Sequence, residues 1–174
     1  MEGKKIAIFS FSLFLDIAVA GGDSRLTLQT DESYKLNVTT SGRVTTARIN
    51  ANSFFGARHA LETLLQLVEY EENEDALLMV SEAYVEDTPA FPYRGILLDT
   101  SRNFFSVESI KRTLDGMASN KLNTFHWHIT DSHSFPLELA TLPLMTYYGA
   151  YTSRSIYSAN DVREVGKTNN GGKR

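Results

Sequence analysis

Two rhythms of apolar positions divide the chain. From Ser33 to Ala51, Tyr34, Leu36 and Val38 alternate with polar residues, and Val44, Ala47 and Ile49 form a second β-prone run after Ser41-Gly42. A period of two buries one face of a pleated strand, so this segment predicts strand, turn, strand. Ala57, Ala60, Leu61, Leu64, Leu65 and Val68 then recur at helical spacing behind Asn52 or Ser53, either of which can cap a helix, and the acidic stretch Glu69 to Asp75 closes it. Leu77 to Val80 reads as a buried strand. The simplest assembly is a small α+β layer over residues 13–88, with the helix covering an antiparallel sheet.

Asp87-Thr88-Pro89-Ala90-Phe91-Pro92 carries two prolines that block both a helix and a central strand, which makes it a junction between domains. After it the rhythm changes. Gly95 to Asp99 is a short apolar run, Ile110, Leu114, Met117, Ala118 and Leu122 share one helical face, and Thr124 to Ile129 is another β-prone run. Strand, helix, strand in that order implies a parallel pair with a right-handed crossover, and this unit is expected to lie within a second domain at 89–165. Leu137 to Ser158 reads as loop, Ala159 to Val165 as the first turns of another helix, and residues 166–174 as an unpatterned tail.

The first 12 residues admit two readings. Lys4 and Lys5 ahead of the apolar run Ile6 to Leu15, with Ala18-Val19-Ala20 behind it, imitate a signal peptide, whereas Asp16 interrupts the run and Leu13 to Val19 also reads as a strand. The triplet Asn37-Val38-Thr39 is an acceptor sequence for N-glycosylation and favours a secreted or lysosomal route. The 174 residues hold no cysteine, which removes disulfides, thiolate metal sites and thiol nucleophiles, and no apolar run is long enough to span a membrane. Seventeen basic and 21 acidic residues are dispersed without a basic run, so nucleic acid is not an expected partner.

The candidate chemistry sits at the ends of the two later strands, where Asp99 and Asp131 follow apolar runs; in parallel α/β architectures functional groups gather at the carboxyl ends of strands. Strand period places His126, His128 and Thr130 on one face and Phe125, Trp127 and Ile129 on the other. A polar row inside such a fold has to be hydrogen-bonded, so it reads either as a network aiming a carboxylate at a ligand or as a satisfied internal histidine pair. Arg94 stands before the first of these strands, next to Gly95, and its fork of donors suits paired hydroxyls or carboxylates; the competing role is to tie the strand end to a neighbouring acidic group. A metal-dependent hydrolase is the alternative chemistry, with His126 and His128, helped by Asp131 and His133, as ligands and His59 as the only distant histidine.

The stretches Tyr93-Arg94-Gly95-Ile96-Leu97-Leu98-Asp99-Thr100-Ser101-Arg102 and Lys121-Leu122-Asn123-Thr124-Phe125-His126-Trp127-His128-Ile129-Thr130-Asp131 resemble the start of the catalytic barrel of family 20 β-N-acetylhexosaminidases of the animal and insect type. Asp31-Glu32-Ser33-Tyr34-Lys35-Leu36 and Gly56 to Leu67 are similar to that family's accessory α/β domain, which precedes the barrel. The resemblance implies an accessory α+β domain at 13–88 and the first βα units of an incomplete (β/α)8 TIM barrel at 89–165, since a closed barrel needs about 250 residues. It implies removal of terminal N-acetylglucosamine or N-acetylgalactosamine from an oligosaccharide or glycoconjugate, no cofactor and no metal, and a parent enzyme that is secreted or lysosomal and of a kind that often dimerises.

Carried over by position, Arg94 corresponds to the arginine gripping the terminal sugar and Asp131 to a carboxylate near it, with His128, His126 and Asp99 as supporting network. The family's reaction is substrate-assisted: the sugar's acetamido oxygen attacks the anomeric carbon, a glutamate protonates the leaving oxygen and an adjacent aspartate orients the acetamido group. That Asp-Glu pair belongs to a later strand, beyond Arg174, so no catalytic residue is expected here and the chain alone is expected to be inactive. Asp31-Glu32 mimics the pair but falls in the accessory motif, where a turn role is expected, and Trp127 is expected to pack rather than to box the acetamido group.

Overall fold

The computed structural model describes residues 5–7, 12–23 and 25–169, and the chain divides into two compact units, Met1–Pro92 and Tyr93–Arg174. In the first unit, strand β1 (Lys5–Ala7) is followed by β2 (Ser12–Val19), β3 (Tyr34–Ser41), β4 (Val44–Ala51), helix α1 (Phe54–Gln66), β5 (Val68–Glu71), β6 (Ala76–Val80) and β7 (Glu82–Asp87). The hairpin β3–β4 turns at Gly42, whose φ of 61° is one that side chains disfavour, and pairs Tyr34 with Ala51 and Ser41 with Val44.

The alternating residues of that hairpin build the core. Tyr34, Leu36, Val38, Ala47, Ile49 and Ala51 are buried against Ala57, Ala60 and Leu64 of α1. Ser53 caps the helix by accepting from the Gly56 amide at 3.2 Å, which settles between the two capping candidates. Gly56 is required by contact: a Cβ there would lie 2.4 Å from the Ser33 carbonyl oxygen.

The sheet departs from the expected antiparallel layer. Its order is β2-β4-β3-β7, with β2 parallel to β4 from Ser12↔Val44 to Val19↔Ala51, so it is mixed. Ser12–Val19 thus forms a strand, while Lys4 and residues 8–11 of the competing leader reading lie outside the described residues. Val68 leaves the helical pattern to open a separate sheet of order β1-β6-β5, because β-prone Val68 and Tyr70 pair with Met79 and Leu77 across a turn at Asp75. The strand expected to be buried at Leu77 to Val80 is half covered: Met79 enters the core and Leu77 is 46% exposed.

The second unit opens with β8 (Gly95–Asp99), α2 (Val107–Ser119) and β9 (Thr124–His128), a parallel pair joined by a helix as the periodicity predicts. Ile110, Leu114 and Met117 of α2 pack with Leu98, Phe125 and Trp127, which puts the apolar side of both strands against the helix. Tyr157 is buried at the centre, stacked on Phe104 at 4.7 Å and edge-on to Trp127 at 5.0 Å, with its hydroxyl donating to the Phe105 carbonyl at 2.5 Å.

Two expectations fail in this unit. Leu137 to Ser158 contains α3 (Pro143–Gly149), held by Thr146 donating to the Leu137 carbonyl at 2.5 Å. Helix α4 (Ala159–Asn169) runs past Gly166, where the unpatterned tail is expected to begin, and residues 170–174 of that expectation lie outside the described residues. Ser158 and Asp161 cap α4 reciprocally, Val165 is buried, and Lys111 of α2 pairs with Glu164; once anchored so, each added residue gains a helical hydrogen bond that outweighs the weak propensity of one glycine.

Candidate functional site

Strand register assembles the site. Asp99 lies opposite His128 at the carboxyl ends of β8 and β9, and the Thr100 amide donates to the His128 carbonyl at 3.0 Å, extending the ladder by one bond. Leu97 with His126 and Asp99 with His128 share one face, while Ile96 with Phe125 and Leu98 with Trp127 share the face toward α2. Trp127 packs there, and its Nε1 donates to the Thr100 hydroxyl at 2.7 Å.

Beyond the strand ends the chain turns so that a guanidinium bridges two carboxylates. Asp99 Oδ1 accepts from the amides of Ser101 at 3.0 Å and Arg102 at 3.2 Å, and its Oδ2 accepts from Arg102 Nη1 at 2.6 Å. Arg102 Nη2 donates to Asp131 Oδ2 at 2.9 Å. His128 Nε2 stands 3.0 Å from that oxygen, and Ser132 Oγ and His133 Nδ1 stand 3.0 and 3.3 Å from Oδ1. The loop is pinned from below: the Asp131 amide donates to the Ser134 carbonyl, which also accepts from the buried Ser101 hydroxyl at 2.8 Å.

These partners fix the charge of the cluster. Hydrogen bonds from His128, then from Ser132 and His133, hold the Asp131 carboxyl well below the usual carboxylate range against the opposing effect of burial. For Asp99, burial pushes the carboxyl up, but the amides of Arg102 and Ser101 and the charges of Arg102 and His128 outweigh it and leave it lowered. Both groups are therefore anions, His128 Nε2 carries a proton toward Asp131, and Arg102, with 58% of its side chain exposed, keeps donors facing solvent. Two carboxylates and a guanidinium at an open strand end are suited to bind vicinal hydroxyls.

Asp99, His128 and Asp131 come together here; Arg94 and His126 do not join them. Arg94 is at the amino end of β8, five residues and roughly 16 Å of strand from Asp99. Its Nε donates to the Lys121 carbonyl at 2.9 Å and its amide to Asn123 Oδ1 at 3.0 Å, a tie between the strand start and the turn after α2. Gly95 beside it admits the backbone of β9, since a Cβ would meet the Thr124 oxygen at 2.8 Å. His126 is exposed on the open face, and its imidazole hydrogen-bonds to none of the described residues. Arg102 is the residue that sequence reasoning passed over. The signal was present as a basic residue three positions after the strand-ending Asp99, the spacing at which a turn folds back on its own carboxylate.

The remaining candidates fall in the first unit. Asn37 is exposed on β3, and Asp31 and Glu32 serve local structure: Asp31 accepts from the Ser33 amide and Asn52, and buried Glu32 pairs with His59 Nε2 at 2.7 Å. A groove of about 590 Å³ is lined by Asp31, Lys35, Asn52 and Glu86 among others, all from this unit, whereas the anionic cluster belongs wholly to the second. Among the described residues no three His, Asp or Glu side chains are grouped to hold a metal ion, and no helix is long and apolar enough to cross a membrane.

Residues 91–168 match the model of the glycosyl hydrolase family 20 catalytic domain, and residues 12–67 match that of the domain described as beta-acetyl hexosaminidase like. The chain belongs to glycosyl hydrolase family 20. Among relatives of this family it is 54% identical over 139 residues to a chitooligosaccharidolytic beta-N-acetylglucosaminidase of Bombyx mori, covering 79% of this chain and 23% of that protein. It is 44% identical over 138 residues to the beta-hexosaminidase subunit beta of Mus musculus, covering 79% and 25%. The solved family 20 chitobiase of Flavobacterium johnsoniae superposes with a TM-score of 0.74 at 32% identity, over 92% of this chain and 23% of that one. The exo beta-N-acetylglucosaminidase of Vibrio harveyi in complex with N-acetylglucosamine gives 0.70 at 32%, over 91% and 26%. The chain thus spans about a quarter of the length of the family members it matches.

Proposed function

We propose that this chain supplies one wall of the sugar site of a β-N-acetylhexosaminidase, with Arg102, Asp99 and Asp131 binding hydroxyls of a terminal N-acetylhexosamine and His128 and Ser132 orienting Asp131. On this reading the first unit is the family's accessory α+β domain and β8-α2-β9 begins a (β/α)8 barrel whose site lies at the strand carboxyl ends. The relatives named chitooligosaccharidolytic, from Bombyx mori and Ostrinia furnacalis, support chitin-type oligomers as substrate, with terminal N-acetylglucosamine as the sugar removed. A secreted or lysosomal setting and a dimeric parent go with the same family reading. Arg102 takes the gripping role given to Arg94 by sequence position, because only Arg102 has its donors at the strand ends where Asp99 and Asp131 converge.

One observation carries the division of labour: Asp99 and Asp131 each accept several hydrogen bonds, from Arg102 to both, from two amides to Asp99 and from His128 and Ser132 to Asp131, which favours the ionised form of both carboxyls. A general acid needs a pKa raised toward the working pH so that it carries a proton to give. Asp99 and Asp131 are displaced in the opposite direction, which suits them to accept hydrogen bonds from sugar hydroxyls and unsuits them to protonate a leaving oxygen. In the substrate-assisted route the acetamido oxygen forms the bond to the anomeric carbon, and the proton for the departing oxygen comes from a group outside this cluster.

The 174 residues by themselves are therefore expected to bind N-acetylglucosamine weakly and to hydrolyse nothing. Purified chain on a chromogenic N-acetylglucosaminide should release no more product than a His128→Ala, Asp131→Asn double variant; clear excess hydrolysis would overturn the division of labour. Titration with N-acetylglucosamine, followed by NMR, should shift the amides of residues 99–102 and 128–133. Loss of those shifts in Arg102→Ala, and their persistence in Arg94→Ala, is the expected pattern; the reverse would return the grip to Arg94.

A further inference from the structure

The face of the first unit's sheet that α1 does not cover carries a feature unrelated to the sugar site. Strand β3 alternates strictly, with Tyr34, Leu36 and Val38 buried and Lys35, Asn37 and Thr39 exposed. Asn37 is therefore the outward residue at the middle of an inner strand, and Thr39, the third member of the acceptor triplet, points out beside it. Its register partners are Arg48 on β4 and Tyr84 on β7. Arg48 Nε leans away to Asp16 Oδ2 of β2 at 2.9 Å, which leaves the Asn37 carboxamide with no hydrogen bond to a described residue. Tyr84 is 63% exposed, and its hydroxyl donates to Glu86 Oε2 at 2.9 Å, two residues along the same face, which tethers the ring near the strand.

We infer that Asn37 carries an N-linked glycan whose first N-acetylglucosamine rests on the ring of Tyr84. Directly opposed side chains of an antiparallel pair start about 5 Å apart at Cβ, within the span of one sugar ring, and an aromatic face offers apolar surface to the C–H groups of a pyranose. In the transfer itself the Asn37 amide nitrogen bonds to the anomeric carbon of a lipid-diphosphate-linked oligosaccharide. The bond from that carbon to the diphosphate oxygen breaks, the lipid diphosphate leaves with the bonding pair, and the amide proton passes to a base. The strand tolerates the addition because the modified residue points away from Leu36 and Val38; a shift of one residue would drive the glycan into the core. A glycan at this position also bars a further protein layer from the centre of that face.

The test expresses the full chain behind a cleavable secretory leader in cells that glycosylate. Wild type should migrate as one slower form that peptide N-glycosidase converts to the faster one, with Asn37 becoming aspartate. Asn37→Gln and Thr39→Ala should give only the faster form, and Thr39→Ser should keep the slower. The contact with Tyr84 is read from the thermal midpoint. An endoglycosidase that leaves a single N-acetylglucosamine should preserve the midpoint of the glycosylated chain, complete removal should lower it, and Tyr84→Ala should abolish that difference. Absence of the slower form in wild type overturns the site, and an undiminished difference in Tyr84→Ala overturns the contact.

Discussion

Asp131 shows how much of this site is decided within a few ångströms. One carboxyl accepts from an arginine, a histidine and a serine, and its lowered pKa ties the cluster to pH. A carboxyl whose folded pKa is depressed stabilises the fold above its unfolded value of about 3.9, and that contribution is lost as pH falls through this value toward the folded one. Asp131→Asn should therefore lower the thermal midpoint at pH 7 and flatten its fall below about pH 5. Asp99, shifted in the same direction, preserves part of the acid limb in the variant. A midpoint profile of Asp131→Asn parallel to wild type from pH 7 to 2 would show that the bonds to Asp131 carry no net stability. The carboxylates of this cluster were readable in the sequence, because a strand-ending aspartate is a local signal. Which arginine reaches them was not, since Arg94 and Arg102 flank the same strand and only the folded chain separates its two ends.

At the scale of elements, what could be read tracked how much of each element is buried. β3, α1, β8, α2 and β9 each present an apolar face to a core, and their periodicity locates β3, α1, β8 and β9 within a residue or two and α2 three residues too late in the chain. β5 and β7 lie in acidic sequence, and α3 exposes Leu144, Tyr147 and Tyr148, so no stripe marks it; only Pro143 at its first turn and Gly149 at its end hinted at a helix. The sequence predicts that α4 stops at Val165, because glycine reads as a stop when its surroundings are unknown. The continuation of the helix to Asn169 has a direct check. A Cβ on Gly166 meets nothing within 4 Å, so if the helix continues to Asn169 the Gly166→Ala variant should be more stable by about 0.8–1 kcal/mol. Chemical denaturation would measure it, and an unchanged midpoint would place the helix end before residue 166. Ser158→Ala, which removes the side-chain half of the cap on Asp161, should cost about 1 kcal/mol in the same assay.

The two units differ in how completely they close, and this governs the behaviour of the whole chain. Among the described residues the first buries a core cluster of ten between its two sheets and a helix, whereas the second covers one face of a two-stranded parallel sheet with helices. On the other face Leu97 is 57% exposed, and neither β8 nor β9 has a second pairing partner among the described residues. An open strand edge such as Thr124–His128 templates pairing with another chain, because its unbonded amides and carbonyls gain partners that way. The 174 residues are therefore expected to self-associate as concentration rises, through the second unit. Hydrogen exchange should show β3 and β4 protected at all concentrations, while β8 and β9 gain protection only on association. Leu97→Lys places a charge on the uncovered face without touching the core, so it should reduce light scattering at high concentration and leave the exchange of β3 and β4 unchanged. A chain that stays monomeric at high concentration and unfolds in one sharp transition, with β8 and β9 as protected as β3 and β4, would mean that the two-stranded sheet is stable with its edges open.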